Sequence, residues 1–355
     1  TRPTVHRLVR WRRWGAGRRP VHPPVPQSPR PKVKALKTIG WGLYLSCSWT
    51  WCIGMFLPVI LMHRYGWLGF AIFSVPNVLG CAAFGYVVRT PERSIELVEK
   101  YKTAISLFAI VTVAFHAFFL AMLANVYLND AVIGISIWLP FCILGIGACL
   151  AFLPTKYWPI LAALLWVFSI AVGLTLLPFK EVPSGTLPWQ DAIWLLPITT
   201  FGFFLCPYLD PTFHKALQRS PSKHSFGVFG VTFAVMIGVT CTYQGSILVA
   251  LGTLLGLHLA LQSIFTIGAH IREGIQIELG KHKTIFISLL VVASFIAVAI
   301  AHRFGGASPA GNWFPGAQED YLRFFVFYGL VFPGLVAIFM LTGKLFTPIR
   351  VSLFA

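Results

Sequence analysis

The side chains of this sequence that could do chemistry cluster in two short windows. The first reads Leu45-Ser-Cys-Ser-Trp-Thr-Trp-Cys-Ile-Gly-Met-Phe-Leu-Pro58 and groups Ser48, Trp49, Thr50 and Trp51 ahead of Gly54 and Pro58. The second reads Pro197-Ile-Thr-Thr-Phe-Gly-Phe-Phe-Leu-Cys-Pro-Tyr-Leu-Asp-Pro211 and places Phe201, Gly202, Phe203 and Phe204 among three prolines. Proline removes a backbone donor, and glycine weakens a helix by about 1 kcal/mol relative to alanine. Both windows can therefore unwind, and an unwound segment in a membrane offers backbone groups, hydroxyls and ring faces to a small solute. Kinked helices packed by small residues would give the same pattern.

Two histidines, His116 and His258, lie well inside apolar sequence. Imidazoles there can bind substrate, shuttle a proton, ligate haem or simply pack with a hydrogen bond. His258 could take a proton as a coupling ion, since small shifts move an imidazole through neutrality. Asp210 falls toward the end of its apolar run, and a carboxylate relay is not expected. The sequence shows no nucleophile motif, ATPase motif or CxxC metal pair, so neither catalysis nor a cofactor other than the coupling ion is expected. The seven cysteines fall in or beside apolar runs, where cysteine acts as a small hydrophobe.

The elements that must position these residues are membrane helices. Of 355 residues 57% are hydrophobic and 11% charged, and the mean hydropathy is +0.75; soluble domains carry about 25% charged residues. The fold class is all-α and polytopic, with ten apolar runs near 39–63, 66–88, 103–128, 131–153, 157–178, 190–215, 225–243, 246–271, 283–302 and 321–343. Residues 39–355 read as one transmembrane domain. Ten crossings divide into five-helix repeats, 39–178 and 190–343, and an odd number per repeat inverts the second relative to the first. From Thr90, an N-cap followed by Pro91 predicts a short helix on the inner membrane surface.

The net charge of +17 is concentrated at the start, where eleven of the 28 Lys and Arg precede Thr38 with no acid among them. Residues 1–38 read as a disordered, basic, Pro-rich cytoplasmic tail that touches anionic lipid; nucleic-acid binding is not expected. With this tail inside, thirteen further basic residues fall in inner loops or the C-terminus, and four (Arg64, Lys180, Arg303 and Arg323) fall outside. That asymmetry predicts N-in, C-in topology in a cell membrane, read as the bacterial cytoplasmic membrane.

The stretch Phe201-Gly202-Phe203-Phe204-Leu205-Cys206-Pro207, followed by Phe213-His214-Lys215-Ala216-Leu217-Gln218-Arg219, resembles the broken sixth helix and its exit in the sodium:solute symporter family. Gly66-Trp67-Leu68-Gly69-Phe70, Asn77-Val78-Leu79-Gly80 and Gly85-Tyr86 are similar to that family's second helix. The resemblance implies a LeuT-type fold, with helices 1, 3, 6 and 8 lining a substrate path, and a sodium site to which Ser263 and Thr266 would give two oxygens and carbonyls near Ser48 and Trp51 the others. The family's adjacent hydroxyl pair is missing and no carboxylate replaces it, so a proton on His258 is the alternative and sodium dependence is expected to be weak at most. The function expected is secondary active transport of a small organic solute, coupled to sodium or protons. A non-transporting sensor or scaffold on a transporter fold, whose central space its own side chains would fill, and a membrane-embedded enzyme are the alternatives.

Overall fold

A computed structural model describes residues 31–128, 133–175, 185–241, 252–277, 281–304 and 315–342. Residues 1–30, and the loops around Lys180 and Gly306, lie outside the described residues. The helices are α1 (Pro31–Trp49), α2 (Cys52–Val88), α3 (Pro91–Leu128), α4 (Ile133–Leu150), α5 (Trp158–Thr175), α6 (Leu195–Leu205), α7 (Pro211–Arg219), α8 (Ser225–Thr240), α9 (Gly252–Ile277), α10 (Lys281–Phe304) and α11 (Pro315–Leu335). No strand occurs among the described residues. Seven stretches are long and apolar enough to cross a membrane, and the helices around Ile137–Leu150 and Ser225–Thr240 are apolar but shorter. Large apolar side chains such as Trp138, Leu164, Val167 and Val231 point outward. An all-α, membrane-embedded protein accounts for both observations.

Several boundaries differ from the sequence reading. α1 starts at Pro31, within the segment read as tail, although its inward packing begins only at Thr38. The short helix from Pro91 is not separate: it runs into α3 through a distortion at Tyr101 (φ −118°, ψ 23°), with the Thr90 hydroxyl accepting the Arg93 N–H as expected of an N-cap. α9 continues to Ile277, past the expected end at 271. Arg272 and Glu273, which read as loop charges, are buried there as an ion pair at 3.1 Å, so they do not end the helix.

Gly66 divides α2 into two limbs. Its φ of 63° and ψ of −151° belong to a region that side chains with a Cβ avoid, and the turn it makes lets the second limb fold back beside the first. Around these limbs, α1 packs on α5 and α8, and α2 on α6 and α8. A second group forms where α3 packs on α4, α9 and α10, and α4 on α9; α11 lies against α6. The buried core runs continuously between the groups and is rich in Phe and Trp.

Candidate functional site

The chain breaks its first helical run at Thr50 and Trp51. Trp51 is extended (φ −66°, ψ 178°), and its N–H turns back to the Trp49 carbonyl at 2.8 Å instead of continuing the ladder to Cys47. Neither Gly54 nor Pro58 sits at this break; both lie inside α2. Hydroxyls compete with the ladder instead: Ser46 and Thr50 bond to carbonyls four residues back, at 3.1 and 2.6 Å, and Ser48 to the one three back, at 3.3 Å.

Three backbone groups beside the break meet distant side chains. The Cys52 N–H donates to His116 Nε2 of α3 at 3.4 Å, while His116 Nδ1 faces the Thr112 carbonyl at 2.8 Å. The Tyr321 hydroxyl of α11 donates to the Cys52 carbonyl at 2.7 Å. On the other side, the Cys47 carbonyl accepts from the Gln262 amide and, at 3.2 Å, from the Thr266 hydroxyl, both on α9. Ser263 Oγ is buried beside them without a hydrogen-bond partner. The Thr266 hydroxyl has a single hydrogen and lies 3.1 Å from the Gln262 carbonyl as well, so the Gln262 amide is the donor that fixes the Cys47 carbonyl.

The second interruption has the proline chemistry that the sequence displays. α6 ends at Leu205, Cys206–Tyr208 tighten into a 3₁₀ turn containing Pro207, and α7 restarts with Asp210 as N-cap and Pro211 at its first position. The break thus falls at Cys206–Asp210, at the C-terminal edge of the window that sequence pointed to.

The two interruptions share one small cavity. Trp49, Trp51, Ile53 and Gly54 line it from the first, Gly202, Phe203 and Cys206 from the second, with Asn77, Phe325, Tyr328 and Gly329 completing it. Its volume is about 10 Å³, close to what one water needs. The aromatic side chains fill the rest: Trp49 and Trp51 lie 4.6 Å apart, Tyr328 edges onto Trp51 at 5.1 Å, and Trp49 Nε1 donates to Asn77 Oδ1 at 2.7 Å. Trp51 Nε1 is buried with no hydrogen-bond partner.

Trp49, Trp51, Gly202 and Phe203 are therefore brought together, and His116 supports them from behind. Ser48 and Thr50 are buried, but their hydroxyls are used within α1. Phe201 and Phe204 face outward, 60% and 41% exposed, because consecutive helical residues point about 100° apart. His258 is not at the breaks; its Nε2 lies 3.4 Å from Ser169 of α5. Sequence reasoning passed over Tyr321, Tyr328 and His270, the buried partner of Asp210. Among the described residues no group of three or more His, Cys, Asp or Glu could hold a metal ion. No family model, curated protein or solved structure matches the chain.

Proposed function

We propose that the chain is a secondary transporter for a small uncharged organic solute, built from two five-helix repeats of opposite orientation. One observation carries the reading: two interrupted helices open onto the same buried cavity, where the Trp51 indole N–H has no partner. No charged side chain lines that cavity, so the solute it suits has a flat or apolar body and one hydrogen-bond acceptor.

In this reading the crossings are α1 with the first limb of α2, the second limb of α2, α3, α4, α5, α6 with α7, α8, α9, α10 and α11, ten in all. Packing supports the repeat. Exchanging the halves turns the α3–α10 contact into α9–α4 and the α1–α5 contact into α6–α11, and all four contacts exist. The Lys and Arg asymmetry gives this reading its N-in, C-in topology in a bacterial cytoplasmic membrane, which would put the Arg64–Glu319 pair (2.7 Å) outside and the Lys215–Glu273 pair (2.9 Å) inside. Sodium dependence is weak at most, since neither an adjacent hydroxyl pair nor a carboxylate accompanies Ser263 and Thr266, and a proton on His258 is the alternative coupling ion.

The test is a screen of thermal stability of the purified chain against amino acids, sugars, nucleobases and carboxylates, in sodium and in choline buffer, followed by uptake of any stabilising compound into proteoliposomes. The reading expects an uncharged compound that stabilises the protein equally in both buffers and is taken up. A second reading is favoured by the filled centre: a non-transporting sensor or scaffold would also leave room for only about one water there. Stabilisation without uptake would select it.

A further inference from the structure

We propose that Asp210 and His270 form a proton-binding site whose occupancy holds α7 against α9. Both side chains are fully buried, with Asp210 Oδ2 3.3 Å from His270 Nε2. Asp210 Oδ1 accepts the N–H and the hydroxyl of Thr212, each at 2.7 Å. His270 Nδ1 lies 2.9 Å from the Thr266 carbonyl, which can only accept, so Nδ1 carries a hydrogen. A neutral imidazole has a single N–H. Nε2 would then turn a bare lone pair toward a carboxylate oxygen, and the contact is attractive only with one more proton between them. That proton makes either an imidazolium beside a carboxylate or an imidazole beside a carboxylic acid.

The neighbouring histidines need no such proton. His116 gives Nδ1–H to the Thr112 carbonyl and receives the Cys52 N–H at Nε2. His214 gives Nε2–H to the Tyr208 carbonyl, and its Nδ1 faces the Ser94 hydroxyl at 2.9 Å. Each is complete as a neutral ring.

Among the described residues no cation takes over the role of the shared proton. Lys215 and Arg272 both pair with Glu273, at 2.9 and 3.1 Å. The titratable groups within electrostatic reach from the packed elements are Tyr44 of α1, Cys81 of α2, His116 of α3, Cys206 of the turn and Tyr328 of α11, with His214 on α7 itself. None of these thiols, phenols and imidazoles supplies a fixed positive charge. The edge of Trp51 closes over His270 at 5.6 Å between ring centres, which joins the pair to the wall of the central cavity.

A cavity of about 410 Å³, lined by Glu99, Lys102, His214, Lys215 and Glu273, reaches Pro211, the residue after Asp210. On release the N–H or O–H bond breaks, water in this cavity takes the proton, and the pair passes from neutral to a net charge of −1. Two lone pairs then repel in a fully buried place, and α7, joined to α6 only through the 3₁₀ turn, moves away from α9. That this movement opens the inner side of the protein rests on the topology proposed above; the proton site does not.

The test uses the full chain with Ala216→Cys, a fully buried position on α7, reconstituted in nanodiscs. Alkylation of residue 216 is followed by mass spectrometry at about pH 6 and about pH 9, alone and with Asp210→Asn, whose amide N–H replaces the shared proton. The same thiol in both proteins cancels the effect of pH on its own reactivity. Relative to the Asp210→Asn form, alkylation should rise about tenfold or more at the higher pH. Ring nitrogen-15 NMR of labelled histidine and the infrared carboxyl band of Asp210 should show that one of the two groups loses a proton between those pH values. An unchanged alkylation ratio, or a pair that loses no proton, overturns the proposal. Neither readout needs a transported solute, so a failure of solute uptake in the earlier screen would leave this result standing, and the converse.

Discussion

His116 completes the break in the first helical run by accepting the Cys52 N–H, a donor that a helix start would otherwise leave unpaired inside the membrane. Its replacement by alanine should cost about 1–3 kcal/mol in mixed-micelle unfolding followed by tryptophan fluorescence, and His116→Gln, which keeps an acceptor, should recover part of that. Equal stabilities of wild type and His116→Ala would contradict the capping role. Trp49, Trp51, Gly202 and Phe203 were legible in the sequence because the groups that interrupt a helix lie next to them in the chain. Tyr321 and His270 were not, because what gives them meaning comes from far along the chain: Tyr321 serves Cys52, more than 200 residues away. His258 attracted attention by its depth in an apolar run, yet its neighbour is Ser169, and depth alone does not say which face of α9 looks at the break.

At the scale of elements, the two interruptions arise from different chemistry. The second follows from Pro207 and from the Asp210-Pro211 cap, which local sequence displays. The first has no proline or glycine at Thr50–Trp51 and depends on Ser46, Ser48 and Thr50 hydroxyls together with partners on α3, α9 and α11, so sequence located the window but assigned it to Gly54 and Pro58. The turn at Gly66 is a sharper case, because its backbone conformation excludes a Cβ. Gly66→Ala should lower stability by about 1–3 kcal/mol, read as a loss of melting temperature in detergent, and an unchanged melting temperature would show that the turn can relax. Close packing sets a similar limit at Gly85, where an added Cβ would lie 2.2 Å from the Phe226 ring of α8. Gly85→Val should therefore force α2 and α8 apart and destabilise by about 1–3 kcal/mol; a crystal or cryo-EM structure of the variant with unshifted helices would refute this.

For the whole molecule, the membrane environment was legible from composition and apolar run length, since both are properties of the chain without its fold. The distribution of Lys and Arg adds a direction to the crossings. A cysteine placed at Gly185 should react with an impermeant thiol reagent applied to intact cells, and one at Ser222 should not; equal rates at both would contradict the topology. What composition could not supply was the state of the centre, where Trp49, Trp51 and Tyr328 fill the space between the interrupted helices. The central claim is that this filled arrangement opens alternately to the two sides of the membrane. Cys206 lines the cavity and is buried, so the native chain already carries the probe. The decisive measurement is alkylation of Cys206 in vesicles by an impermeant reagent applied from either side, with mass-spectrometric mapping of the modified residue. Alternating access predicts modification from both sides in the folded protein, and a Cys206 that stays unmodified from both would contradict it.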